Sequence, residues 1–148
     1  MVKNLSISCG KGIKIDKKKI HELVAGLKPV LEFKVSSLTI NFVTPEEILE
    51  INSQYLKHFF TTDIITFNYS GENFNFDGEI FISYEDALKN SKKFKVSFDN
   101  ELLRLVIHGI LHLSGFDDMK KEEKRIMKKL ENDLVKIFEK KFRKLILK

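Results

Sequence analysis

Polar and apolar residues alternate through NLSISC (residues 4–9) and again through SLTINFVT (37–44), the pattern of strands with one face buried and one face wet. Between them Ile20, Leu23, Val24 and Leu27 recur at helical spacing, predicting an amphipathic helix within residues 16–33. Thr44, Pro45 and Glu47 together spell a helix start. They supply a hydroxyl N-cap, a proline at a position whose N–H would go unused, and a glutamate placed to close a capping box. That helix is predicted through EEILEINSQYL (46–56). Alternation returns in TDIITFNY (62–69) and GEIFISY (78–84), and the polar stretch from Ser70 to Asp77 reads as the loop of an antiparallel pair. Ser83 followed by Asp86 starts a further helix over 84–94, and another begins near Ser97 and stops at Gly115. From Met119 to Lys148, the residues Met127, Leu130, Leu134, Phe138, Phe142 and Leu145 recur at steps of three or four. They predict one long helix with a buried stripe.

Strands and helices intermixed around one hairpin predict an α+β fold: a single domain over residues 1–148, with a mixed sheet of about four strands covered by helices. At 148 residues, 43% of them hydrophobic, the chain has enough apolar side chain for one packed core, which excludes a disordered protein. No apolar run approaches the about 18 residues that a membrane-spanning helix needs. The alternating N-terminus reads as a strand and not as a signal peptide. Cys9 is the only cysteine, which rules out an internal disulfide and suits a reducing compartment, so a cytoplasmic location is expected.

Charge changes the picture in one place. The chain carries a net charge of +5, yet residues 119–148 alone hold 12 Lys and Arg against 5 Asp and Glu. The excess is either the solvated outer face of the last helix or a surface that attracts nucleic-acid phosphates. Charge alone does not choose between them.

The helix SFDNELLRLVIHGILHLSG (97–115) is apolar around most of its circumference and is therefore expected to be buried. Its exceptions, Glu101, Arg104, His108 and His112, fall at steps of three, four and four on one face. A four-residue step rises about 6 Å, so the two imidazoles can converge on one ion. Gly115 lets the chain turn sharply, and Asp117 or Asp118 can then swing back as a third, anionic ligand. Two histidines and a carboxylate leave a position open for water, as in catalytic metal sites. Gly109 stands where zinc proteases carry their glutamate base, so peptide hydrolysis by that route is disfavoured. A glycine in mid-helix costs about 1 kcal/mol relative to alanine, and it implies close approach either of a substrate or of a crossing strand.

HGILHLSGFDD (108–118) matches the signature HGxLHLxGxDH of the YbeY family of metal-dependent endoribonucleases at every specified position but the last. INSQYL followed by TDIITF resembles the family's LNxxYR and TDVLSF at the same spacing, and GEIFIS resembles the strand that follows. The resemblance covers about residues 45 to 118. It implies a metal site at the end of a central helix, with one divalent ion, zinc foremost, held by His108, His112 and Asp118. Asp118 stands where the family has its third histidine, and Asp117 matches the family's preceding aspartate. The resemblance further implies a single-strand-acting endoribonuclease of ribosomal RNA maturation, with RNA and the ribosome as partners. Cleavage would use a metal-activated water or a metal-assisted attack on the phosphodiester.

Leu56 departs from the family, which has an arginine implicated in activity there. Lys57 and His58, next in the chain, are the candidates for its role. Glu79 matches an acidic family position beside the site, as general base or as a partner of the metal ligands. Asp63 is expected to orient local backbone, and His21 to be structural. Two alternatives to the hydrolase stay open: an iron oxygenase, which shares the two-histidine, one-carboxylate ligand set, and a non-catalytic RNA- or ribosome-binding protein with a structural metal.

Overall fold

The computed structural model describes residues 1–55 and 62–147. Its elements run β1 (Leu5–Cys9), α1 (Lys17–Leu31), β2 (Lys34–Val43), α2 (Pro45–Tyr55), β3 (Ile64–Asn68), β4 (Asn75–Ser83), α3 (Tyr84–Phe94), α4 (Phe98–Leu113) and α5 (Lys121–Phe138). The strands form one mixed sheet in the order β1-β2-β4-β3, parallel except for the antiparallel β3–β4 pair. The expected α+β architecture is what the chain adopts. Four of the helices begin where a side-chain oxygen takes an orphan backbone N–H. Asp16 accepts from Lys19, Thr44 from Glu47, Ser83 from Asp86 and Ser97 from Asn100.

Strand side chains alternate between faces, and here the two faces differ in cover. Leu38, Ile40 and Phe42 of β2 and Ile80 and Ile82 of β4 join the main core with Ile20, Leu23, Val24 and Leu27 of α1 and the apolar residues of α4. The opposite face has a small core of Val43, Ile48 and Ile65, closed by α2. Among the described residues the sheet is thus fully covered on one side only.

Two expectations need correction. The β3–β4 loop does not extend to Asp77, because β4 already begins at Asn75. The reason is Phe76, fully buried with its ring stacked on Phe33 at 4.3 Å between centroids. The last helix does not continue to the C-terminus but ends at Phe138. Phe142 and Leu145 are nevertheless buried, at 1% and 0% exposure. They are carried there by a tail that doubles back, where Asp99 accepts the Leu145 and Ile146 N–H groups at 2.8 and 3.2 Å. Asp16 in turn donates its N–H to the Leu145 carbonyl at 2.7 Å. Each buried side chain contributes about 1.5–3 kcal/mol, enough to favour the fold-back over an exposed helical extension.

Candidate metal centre

The position of α4 against the sheet sets the site. A Cβ built on Gly109 would stand 2.9 Å from Ile80 Cδ1, 3.0 Å from Ile80 Cγ2 and 3.3 Å from Ile64 Cδ1. The glycine therefore lets the helix press on β4 and β3, which decides for the crossing strand over room for a substrate. With the Gly109 face packed, Arg104, His108 and His112 are left half-buried along the flank of the helix beside it.

His108 Nε2 and His112 Nε2 lie 3.1 Å apart. Gly115, with φ at +99°, turns the chain after α4 and brings Asp118 Oδ2 to 3.7 Å from His112 Nε2. One ligand atom from each of the three residues lies within 4.8 Å of the other two. Donors about 2.0–2.1 Å from a tetrahedral ion stand about 3.3 Å from one another, so these separations suit a single shared cation. Two nitrogens and one carboxylate oxygen also match zinc chemistry and leave one coordination position for a further ligand. Asp117 is engaged otherwise: its carboxylate accepts the N–H groups of Asp118 and Met119 at 2.7 and 3.2 Å. It shapes the turn that presents Asp118.

Burial lowers the pKa of His112, and His108 adds to the effect, against the opposing pull of Asp118 and Asp117. The neutral imidazole that a metal requires is thereby favoured. His108 is oriented from its other nitrogen. Its Nδ1 meets Glu131 Oε1 at 2.6 Å, while Arg104 Nη1 donates to Glu131 Oε2 at 2.6 Å and to Asn132 Oδ1 at 2.7 Å. Burial works to raise the Glu131 pKa, but the hydrogen bonds from His108 and Arg104 outweigh it and hold the group below its ordinary range. A carboxylate accepting from Nδ1–H leaves the lone pair of His108 on Nε2, on the side of His112. Glu131 was missed in the sequence. Its signal was there: it falls on the buried stripe of α5, between Met127 and Leu134, where an acid needs a partner. Glu101, one turn before Arg104, is 4% exposed, and burial pushes its pKa up to about 7.

A cleft of roughly 530 Å³ opens beside the histidines. His108 and Asp118 line it, with Asp63, Asn90 and Phe94 from the β3 and α3 side and the exposed Lys124 and Lys128 from α5. The structure thus brings together His108, His112 and Asp118. It does not bring Glu79 to them. Ile80 faces α4, so Glu79 points from the opposite face of the sheet. There it accepts hydrogen bonds from Asn41 Nδ2 at 3.2 Å and Tyr69 Oη at 2.9 Å. The reading of Glu79 as a neighbour of the metal ligands is corrected by strand alternation. Asp63 accepts from Asn90 Nδ2 at 3.0 Å and from its own backbone N–H, so its expected role of orienting local backbone is joined by a place in the cleft wall. His21 is buried in α1, away from the site's lining. Leu56, Lys57 and His58 lie outside the described residues.

Residues 8–139 match the family model described as Endoribonuclease YbeY. Among curated relatives, an Endoribonuclease YbeY from Bacteroides fragilis is 40% identical over 118 residues, covering 80% of this chain and 84% of the relative. One from Karelsulcia muelleri is 42% identical over 108 residues, covering 73% and 76%. The solution structure of TM1509 from Thermotoga maritima superposes with a TM-score of 0.60 at 27% identity, covering 93% of each chain.

Proposed function

The chain belongs to the endoribonuclease YbeY family, and from that premise we propose that it cleaves single-stranded segments of ribosomal RNA during ribosome maturation, with one zinc ion held by His108, His112 and Asp118. The observation that carries this reading is the convergence of three metal-binding atoms at a cleft with a basic rim. When bound, the ion supplies a Lewis acid for a phosphoryl oxygen. The rest is work for the chain's own side chains. Glu131 holds His108 by its Nδ1, Asp117 holds the turn that presents Asp118, and Arg104 braces Glu131. Lys124 and Lys128, on the α5 wall of the cleft, attract the phosphates of the bound strand. An unpaired strand is favoured because a recessed centre needs a phosphate that can leave the duplex surface. Lys57 and His58 are proposed to take the place of the family arginine that Leu56 lacks. The single cysteine and a ribosomal substrate together support a cytoplasmic location, with the ribosome as partner.

The test pairs elemental analysis of the purified protein with cleavage of a single-stranded RNA, on wild type, His112→Ala, Asp118→Asn and Asp117→Asn. The expected result is near one zinc per chain in wild type, with metal and cleavage lost together in His112→Ala and Asp118→Asn. Asp117→Asn should keep most of its metal. Bound RNA with no cleavage by wild type would favour instead the ribosome-binding reading with a structural metal, and absence of metal from wild type would overturn the site.

A further inference from the structure

The cleft contains an apolar surface that metal and phosphate chemistry leave unused. Phe94, the last residue of α3, lines it while 59% exposed, and Val96 beside it is 38% exposed. The neighbouring outer positions Lys92, Lys93 and Lys95 are all charged, so an aromatic ring here is conspicuous and the core does not use it. Asn90 lies one turn earlier on the same helix face and joins Asp63 through the 3.0 Å hydrogen bond. Amide and carboxylate together offer both donor and acceptor groups on the same wall as the ring. Lys124 and Lys128 line the same cleft, Lys128 Nζ reaching Glu131 Oε2 at 3.4 Å, and Lys93 Nζ lies over one face of the Phe94 ring, 5.6 Å from its centroid, leaving the other face for a base. The cleft therefore pairs a stacking surface and a hydrogen-bonding edge with a cationic rim, beside the metal ligands.

A nucleotide has the matching parts: a flat base with polar edges, joined through a sugar to a phosphate. A volume of roughly 530 Å³ lies within the range of pockets that enclose small molecules, and the exposed ammoniums favour a polyanion over an apolar peptide. We propose that Phe94, with the Asn90–Asp63 pair, forms a subsite for the base of an RNA nucleotide next to the bond that is cut. The proposal rests on the RNA-cleaving reading of the same cleft. Single-stranded RNA is recognised in this way, by stacking on aromatic rings and by hydrogen bonds to base edges.

The experiment uses a labelled single-stranded RNA, read by binding and by single-turnover cleavage, with Phe94→Ala, Phe94→Leu, Phe94→Tyr and Phe94→Trp. Because the ring is exposed, thermal melting and zinc content should match wild type in all four. Loss of one stacked base weakens binding about 5- to 150-fold, and that is the range expected for Ala and Leu, with Tyr and Trp restored toward wild type. An abasic site moved along the RNA should reproduce the loss at one position, and there Phe94→Ala should cost nothing further. Wild-type behaviour of Phe94→Ala would overturn the subsite while leaving the nuclease reading intact. Full activity of Phe94→Leu would reduce the ring to an apolar contact and overturn stacking. A wild type that neither binds nor cuts RNA would overturn the cleavage reading and the subsite with it.

Discussion

Glu131 is where the C-terminal helix meets the candidate metal centre, and its replacement has a calculable consequence. The residue is 3% exposed; one carboxylate oxygen meets His108 Nδ1 at 2.6 Å, and the other accepts from Arg104 at 2.6 Å and from Lys128 Nζ at 3.4 Å. In Glu131→Ala the His108 ring loses its hydrogen-bonding anchor, and the two imidazole tautomers become closer in free energy. Loss of such a partner of a ligating histidine typically weakens metal binding about 10- to 100-fold, or about 1.4–2.7 kcal/mol. In Glu131→Gln the side-chain carbonyl can still accept from Nδ1–H, so the loss should lie near the tenfold end. The change should also remove the ionic partner of Arg104, which keeps its bond to Asn132 at 2.7 Å and, being about a quarter exposed, is solvated more readily than a buried cation. The assay is competition for zinc against a chromophoric chelator at pH 7.5, with nitrogen NMR of His108 to read the tautomer. Glu122→Ala, which removes an exposed partner of Arg125 on the same helix, is the control expected to change nothing. Zinc affinity in Glu131→Ala within about twofold of wild type, with the His108 tautomer unchanged, would refute the assigned role.

Gly109→Ala gains about 1 kcal/mol of helix propensity but presses a methyl group on Ile80 and Ile64, with contacts of 2.9–3.3 Å, and overpacking of this kind costs about 1–3 kcal/mol. The net expectation is destabilisation in denaturant titration, and an alanine protein more stable than wild type would show that the strands can yield. Glu101 supplies a pH signature. Its folded pKa, raised to about 7 from 4.5, means that the folded state holds the proton more tightly. Its contribution is complete below pH 4.5 and is lost as pH rises to 7, a change of at most about 3 kcal/mol. Glu101→Gln should remove that part of the slope between about pH 4.5 and pH 7, and unchanged slopes would contradict the burial argument.

Much of this protein was legible one segment at a time. The capping residues Asp16, Thr44, Ser83 and Ser97 act within four residues of themselves, and the facing of His108 and His112 follows from the pitch of one helix. Gly115 and Asp118 likewise work within a single turn of chain. These features need only local geometry, so the sequence determined them. What it left open depended on residues far apart. Glu131 reaches His108 across 23 positions, and Asp99 captures the tail across 46, so nothing near Phe138 announces that the helix stops. Glu79 lost its expected place because strand register, set by packing of Ile80 on Gly109, turns it to the other face. The order of the strands, and with it the cleft shared by Phe94, Lys124 and His108, exists only once α3, α4 and α5 pack together. Burying a common apolar surface is a property of the whole chain, and that burial chose which polar side chains were left to meet at the candidate metal centre.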